Sequence, residues 1–216
     1  MTNGEITNIY EHTPQKSPTS MVILLHGLGS NGQDLISLAP YFAAQLPETV
    51  FVSPDAPLVC DMVPPGYPDS YQWFSLQDRD PDKVLAGVQA AAPILEAFIA
   101  EQLEKYSLSA DKLALCGFSQ GTMMSLYVGP RYQGKIAGVL GYSGAMVGEV
   151  GQNAIPVHLI HGEADDVVPV GAYHHAREVL EQKGFDVGGH TTPNLAHSID
   201  EMGIQSGAKF LKSILS

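Results

Sequence analysis

Cysteine is scarce in this chain of 216 residues. Cys60 and Cys116 are the only two, too few for a disulfide framework. Positive charge is scarce as well: 11 Lys and Arg face 23 Asp and Glu, a formal net charge of −12. Phosphate backbones and anionic bilayers attract cations, so this balance argues against nucleic acid or a charged membrane as the main partner. No long apolar run is unbroken. The most apolar stretch, residues 84–103, contains Pro93, Glu96 and Glu101 and falls short of the roughly 20 apolar residues of a membrane span. Met1-Thr2-Asn3-Gly4-Glu5 lacks the basic and then apolar pattern of a signal peptide. Charged residues make up only 16% and apolar ones 44%, which excludes a disordered chain or a long solvated coiled coil. The expectation is one cytoplasmic domain over residues 1–216, without stable membrane insertion. At this length about 70% of the unfolded surface can be buried.

What is present is an alternation. Met21-Val22-Ile23-Leu24-Leu25 is a short apolar run that suits a strand buried on both faces, and similar runs recur at 49–52, 112–116, 136–140, 155–160 and 185–190. Helical patterns lie between them, at 34–45, 84–105, 120–127, 172–183 and 204–214. In the longest, Val84, Val88, Ala91, Leu95, Ile99 and Leu103 repeat at helical spacing. Asp80-Pro81 supplies its cap and a first-turn proline, and Pro93 is expected to kink it. Strands alternating with helices predict an α/β architecture with a mostly parallel sheet flanked by helices. One long irregular segment, 53–79, carries five prolines together with Tyr67, Tyr71, Trp73 and Phe74. It reads as an ordered loop that packs on something.

Gly117-Phe118-Ser119-Gln120-Gly121 follows one of the apolar runs and opens a helical pattern. That is the context of a nucleophile elbow, in which a serine sits on a strained strand-to-helix turn and small flanking residues permit the crossing. Serine alone is a poor nucleophile; it needs a base, and the base needs an orienting acid. His161-Gly162-Glu163-Ala164-Asp165-Asp166 places carboxylates at the carboxyl end of a later strand, where α/β sheets build their sites. His197 follows after one more strand. The order Ser119, acid, His197 is that of α/β-hydrolases. Residue chemistry does not choose between Asp165 and Asp166, although neighbours in an extended loop point in opposite directions and only one of them suits the role. An oxyanion needs two backbone N–H donors. Gln120, directly after the serine at a helix start, and Leu28, in the Gly-rich turn His26-Gly27-Leu28-Gly29, are placed to supply them.

These pieces together resemble the phospholipase/carboxylesterase family of small α/β-hydrolases. The matching segments are 25–29, Trp73-Phe74, 117–121, the His161 to Asp165 stretch with Val168-Pro169, and His197-Ser198. The resemblance implies Ser119 as nucleophile, Asp165 as acid and His197 as base, with Leu28 and Gln120 amides as oxyanion donors. It also implies an α/β-hydrolase fold with little or no cap. The implied activity is hydrolysis of short-to-medium acyl esters, with thioesters or lysophospholipids as relatives of that substrate. One departure is Ser75, where members commonly carry an acid after the Trp-Phe pair. An acyltransferase, a peptidase or a catalytically silent binding protein on the same fold are the alternatives.

Leu28, Trp73, Phe74 and Val168 are expected to wall an apolar substrate pocket. The expected partner is a small-molecule ester; a homodimer is compatible with the sequence. No cofactor and no metal are expected. His174 and His175 are adjacent on a helical pattern, point about 100° apart and could not share an ion, so with His161 they read as surface or packing residues. Cys116 reads as a buried structural thiol, and Met123, Met124 and Leu126 as core.

Overall fold

The computed structural model describes residues 5–64 and 67–216. Its strands are β1 (Ile9–His12), β2 (Ser20–Leu25), β3 (Thr49–Pro54), β4 (Leu58–Val59), β5 (Tyr71–Gln72), β6 (Leu113–Phe118), β7 (Gly138–Tyr142), β8 (Val157–Gly162) and β9 (Val187–Thr192). Its α-helices are α1 (Gly32–Ile36), α2 (Ala39–Ala43), α3 (Pro81–Tyr106), α4 (Gln120–Val128), α5 (Gly171–Gln182) and α6 (Glu201–Leu215). Seven strands form one sheet in the order β1-β3-β2-β6-β7-β8-β9. Only β1 runs antiparallel to its neighbour.

The central strands are short and apolar because helices cover both of their faces. Every residue of β2 and β3 is buried. Side chains alternate across the sheet. Met21, Ile23 and Leu25 pack with Val88, Leu95 and Ile99 of α3 and with Met124 of α4. Val22 and Leu24 face the other way, toward Phe42 and toward Ala208, Leu211 and Leu215 of α6. The Asp80 carboxylate accepts from the Asp82 and Lys83 amides to start α3. By length and composition α3 could cross a membrane, but here its apolar face is part of the core. Pro93 lies inside α3 and does not end it.

Element boundaries differ from expectation in several places. The single helix expected over 34–45 is two short ones, because Pro40 cannot donate an amide to a preceding turn and instead sits at the start of α2. The strands expected over 136–140 and 185–190 begin two residues later, at Gly138 and Val187. β1 has no sequence signal: Ile9-Tyr10-Glu11-His12 is a half-exposed edge strand whose alternation is too short to stand out. The irregular segment contains the two-stranded ribbon β4-β5, with Leu58 paired to Gln72 and Val59 to Tyr71. Within it Trp73 and Phe74 are buried while Tyr67 is exposed; Pro65 and Gly66 lie outside the described residues.

Candidate active site

The elbow is built from close backbone approach. Ser119 has φ 53° and ψ −114°, a conformation that L-residues avoid at a cost of roughly 1–3 kcal/mol. It is held there by its neighbours. The Ser119 amide donates to the Tyr142 carbonyl at 2.9 Å, and Thr122 Oγ1 lies 2.8 Å from both the Gly117 and Tyr142 carbonyls. A Cβ at Gly121 would collide with the Leu25 carbonyl, and one at Gly117 with the Gly121 backbone. Both glycines are therefore required by the crossing of β6 into α4.

Asp165 follows β8 and is 6% exposed. Its Oδ1 accepts from the Val167 and Val168 amides at 2.9 and 2.8 Å. Its Oδ2 lies 2.7 Å from His197 Nδ1. A carboxylate only accepts, so Nδ1 is the donor of this bond, which leaves Nε2 as the ring nitrogen that can accept a proton in the neutral tautomer. Burial alone would raise the Asp165 pKa, but the bond from His197 and the two amides outweigh it and hold the carboxyl below its usual range. The acid loop and the histidine loop are tied backbone to backbone, Glu163 N to Thr192 O and Ala164 N to Leu195 O, each at 2.9 Å. Asp166 and Glu163 are exposed, and Glu163 accepts instead from Thr191 Oγ1. Of the three neighbouring carboxylates, only that of Asp165 meets His197.

His197 packs against Phe118, with ring centroids 4.9 Å apart and the planes tilted by 44°, and lines the same cavity as Ser119. Ser119 Oγ makes no hydrogen bond within the described residues and opens onto that cavity. Neither the Leu28 nor the Gln120 amide has a carbonyl acceptor among the described residues, so both are available as donors. The turn that carries Leu28 is fixed by His26, whose Nδ1 donates to Gly27 O at 2.7 Å while its Nε2 accepts from the Ala56 amide at 2.9 Å. Burial lowers the His26 pKa and keeps this ring neutral.

Of the four residues expected to wall the pocket, Leu28 and Val168 do so and Trp73 and Phe74 do not. The two aromatics are 1% and 2% exposed and belong to the core. The Gln120 side chain turns them inward: its Oε1 accepts from Trp73 N and its Nε2 donates to Phe74 O, both at 2.8 Å, while Trp73 Nε1 donates to His26 O at 3.1 Å. Trp73 thus supports the Leu28 turn from behind. The cavity itself, about 500 Å³, is walled mostly by Leu76, Val84, Met123, Met146 and Val147. Met123, expected in the core, does pack against it but is only partly buried and also lines the cavity, one position from the fully buried Met124. Ser75 is exposed and outside the lining, its Oγ accepting from Gln77 N.

Four further residues turn out as follows. Cys116 is buried, and burial pushes its thiol pKa up. His174 and His175 are exposed on α5. His161 is buried beside the acid: its Nε2 sits 2.7 Å from Val168 O and 3.3 Å from Asp165 Oδ2. Both neighbours are acceptors, so Nε2 carries a proton and ties the acid loop to the end of β8, approaching the same carboxylate oxygen that meets His197. Its position at the end of β8, four residues before Asp165, is the only trace of this in the sequence.

The phospholipase/carboxylesterase family model matches residues 8–215. Esterase YpfH of Escherichia coli (strain K12) is 30% identical over 202 residues, covering 93% of this chain and 85% of that protein. Acyl-protein thioesterase 1 of Emericella nidulans is 30% identical over 221 residues, covering 93% and 92%. Among solved structures, that of esterase PE8 superposes with a TM-score of 0.89 at 35% identity, over 98% of this chain and 100% of that one. With a parallel sheet, a nucleophile-elbow turn and a family match across nearly its whole length, the chain belongs to the phospholipase/carboxylesterase family of α/β-hydrolases.

Proposed function

We propose that the protein is a serine carboxylesterase that hydrolyses short-to-medium acyl esters, with thioesters and lysophospholipid esters as close substrates, through an acyl-serine intermediate. One observation carries this: Ser119 and His197 line one largely apolar cavity, and the buried Asp165 carboxylate holds His197 from behind through Nδ1. His197 Nε2 takes the Ser119 proton as Oγ attacks the ester carbon. The tetrahedral oxyanion is met by the Leu28 and Gln120 amides, the second at the start of α4 where the helix dipole adds to it. His197 then protonates the departing alcohol or thiol. In the second half it takes a proton from water as the water oxygen bonds to the acyl carbon; the bond from that carbon to Ser119 Oγ then breaks, His197 returns the proton to Oγ, and the carboxylic acid leaves. This cycle draws on no metal or cofactor. An ester or thioester as the scissile group is supported by the names of the two curated relatives. The cytoplasm is the proposed setting.

A cavity of about 500 Å³ with apolar walls selects acyl groups by buried area. Each buried methylene adds about 0.8 kcal/mol until the wall is reached, so kcat/KM climbs and then falls with chain length. The test of the reading is Ser119→Ala. Loss of the nucleophile is expected to cost on the order of 10⁵ to 10⁶ in ester turnover with the fold intact. Substantial hydrolysis by the purified variant would overturn the mechanism.

A further inference from the structure

The cavity wall reverses the charge balance of the chain. Acidic residues outnumber basic ones 23 to 11, yet no Asp or Glu among the described residues lines the cavity. Its one permanently charged group is Arg79. Arg79 belongs to the segment that leads into α3 and shares its wall with Leu76, Pro81 and Val84. The acidic neighbours of Arg79 in sequence are engaged elsewhere. Asp78 pairs with Lys83 Nζ, and Asp80 caps α3.

The other two arginines are committed. Arg131 donates to the Tyr127 and Glu149 carbonyls and lies over the Tyr127 ring, and Arg177 pairs with Glu181. Arg79 has no carboxylate within ion-pair distance and no hydrogen bond among the described residues. A planar guanidinium with five donors, exposed at the edge of a mostly apolar wall, is complementary to a planar or tetrahedral oxyanion group. Elsewhere the surface of a strongly acidic protein repels anions, so the wall at Arg79 discriminates by contrast as well as by attraction.

We propose that Arg79 forms an anion subsite of the catalytic cavity, and that preferred substrates carry a carboxylate or phosphate group in addition to the scissile ester. This rests on the reading of Ser119 as an esterase nucleophile and names the class of ester it serves. A carboxylate would sit on the far end of the acyl chain, as in the half-ester of a dicarboxylic acid. A phosphate would sit on the alcohol side, as in an acylglycerol phosphate.

Two matched pairs separate these sources. Ethyl hexanoate against monoethyl adipate places a carboxylate where the neutral acyl chain has a methyl group. Monobutyrylglycerol against its 3-phosphate places the charge on the alcohol. The readout is the ratio of kcat/KM, charged over neutral, within each pair. Arg79→Gln is expected to lower that ratio by about five- to tenfold in at least one pair, mainly through KM, while Arg79→Lys retains part of it. The preference should also shrink as NaCl rises from about 20 to 500 mM, because added salt screens an exposed charge. A fall in the adipate pair assigns a half-ester, a fall in the phosphate pair assigns a phosphorylated alcohol, and a fall in both assigns any anionic group within reach. If Arg79→Gln leaves both ratios within about twofold of wild type, the subsite does not exist. Ethyl hexanoate with the wild-type enzyme reads the underlying activity: should the wild type hydrolyse none of the four esters, the esterase reading fails instead.

Discussion

The centre that holds Ser119, Asp165 and His197 and the wall that runs from Leu76 to Val84 border one cavity but are built on different principles. At the centre the supporting polar groups have fixed partners, while Ser119 Oγ and the Leu28 and Gln120 amides have none among the described residues. Both oxygens of Asp165 are taken, Gln120 is spent at both ends of its amide, and His26 uses both ring nitrogens. Such a network holds reacting groups in place before substrate arrives, which is where most catalytic stabilisation originates. The wall has no such network. It meets the cavity through Leu76, Pro81 and Val84, with the Arg79 guanidinium unpaired among the described residues. A site can thus be rigid where bonds break and permissive where substrates differ, and mutations in the two regions should fail in different ways.

The sharpest contrast lies inside the centre itself. Asp165→Asn is expected to lower kcat by about 10³ to 10⁴, because an amide can donate to Nδ1 and so holds His197 in the tautomer whose Nε2 carries the proton. Asp166→Asn, an exposed charge change one residue away, should cost less than about tenfold. Steady-state kinetics on the pair decide it; a larger loss in Asp166→Asn would mean that the acid is misassigned. The next effect is on folding. Trp73→Ala removes a buried ring that supports the Leu28 turn, and a loss of about 3–5 kcal/mol in denaturant unfolding is expected, with the acyl-length optimum kept. A shifted optimum at unchanged stability would return Trp73 to the pocket.

On the wall, Val84→Phe should shorten the preferred acyl chain by roughly two carbons. Each lost methylene contact is worth about fourfold in kcat/KM, and stability should barely change. An unchanged chain-length profile would remove α3 from the acyl site. The smallest effect is on pH. Burial lowers the pKa of His26, and that of His158 to about 4. Both rings are therefore neutral when folded and would rather be protonated when unfolded. Their stabilisation is complete above about pH 6.5 and is lost as pH falls toward 4. Thermal unfolding between those values should show the midpoint dropping, and His158→Gln should flatten the drop. A flat wild-type profile would contradict the assignment.

The same division explains what was legible in the sequence. The elbow, the acid loop and His197 were readable because the crossing of a strand into a helix leaves so little room that glycine and serine must recur at fixed spacing. The choice of Asp165 over Asp166 needed either the family resemblance or the structure, since two adjacent carboxylates look alike on paper. The wall was not readable. Trp73 and Phe74 are the kind of side chains that line pockets, but the amide of Gln120 turns them into the core. Met123 and Val84 look like core side chains and face the cavity. Nothing in periodicity separates one face of a helix that meets the core from the face that meets a ligand. His161 reads in the sequence as a surface or packing residue and is indeed buried, but its hydrogen bond to Val168 O and its approach to Asp165 Oδ2 depend on how the loop turns back, which residue spacing does not give.

The central claim is that Ser119 is made nucleophilic by His197. It is tested most directly by labelling with a fluorophosphonate and mapping the adduct by mass spectrometry. The account predicts a single adduct on the peptide containing Ser119, formed in the wild type at least about 10³ times faster than in His197→Ala under the same conditions. An adduct on another residue, or equal labelling rates in the two proteins, would contradict it.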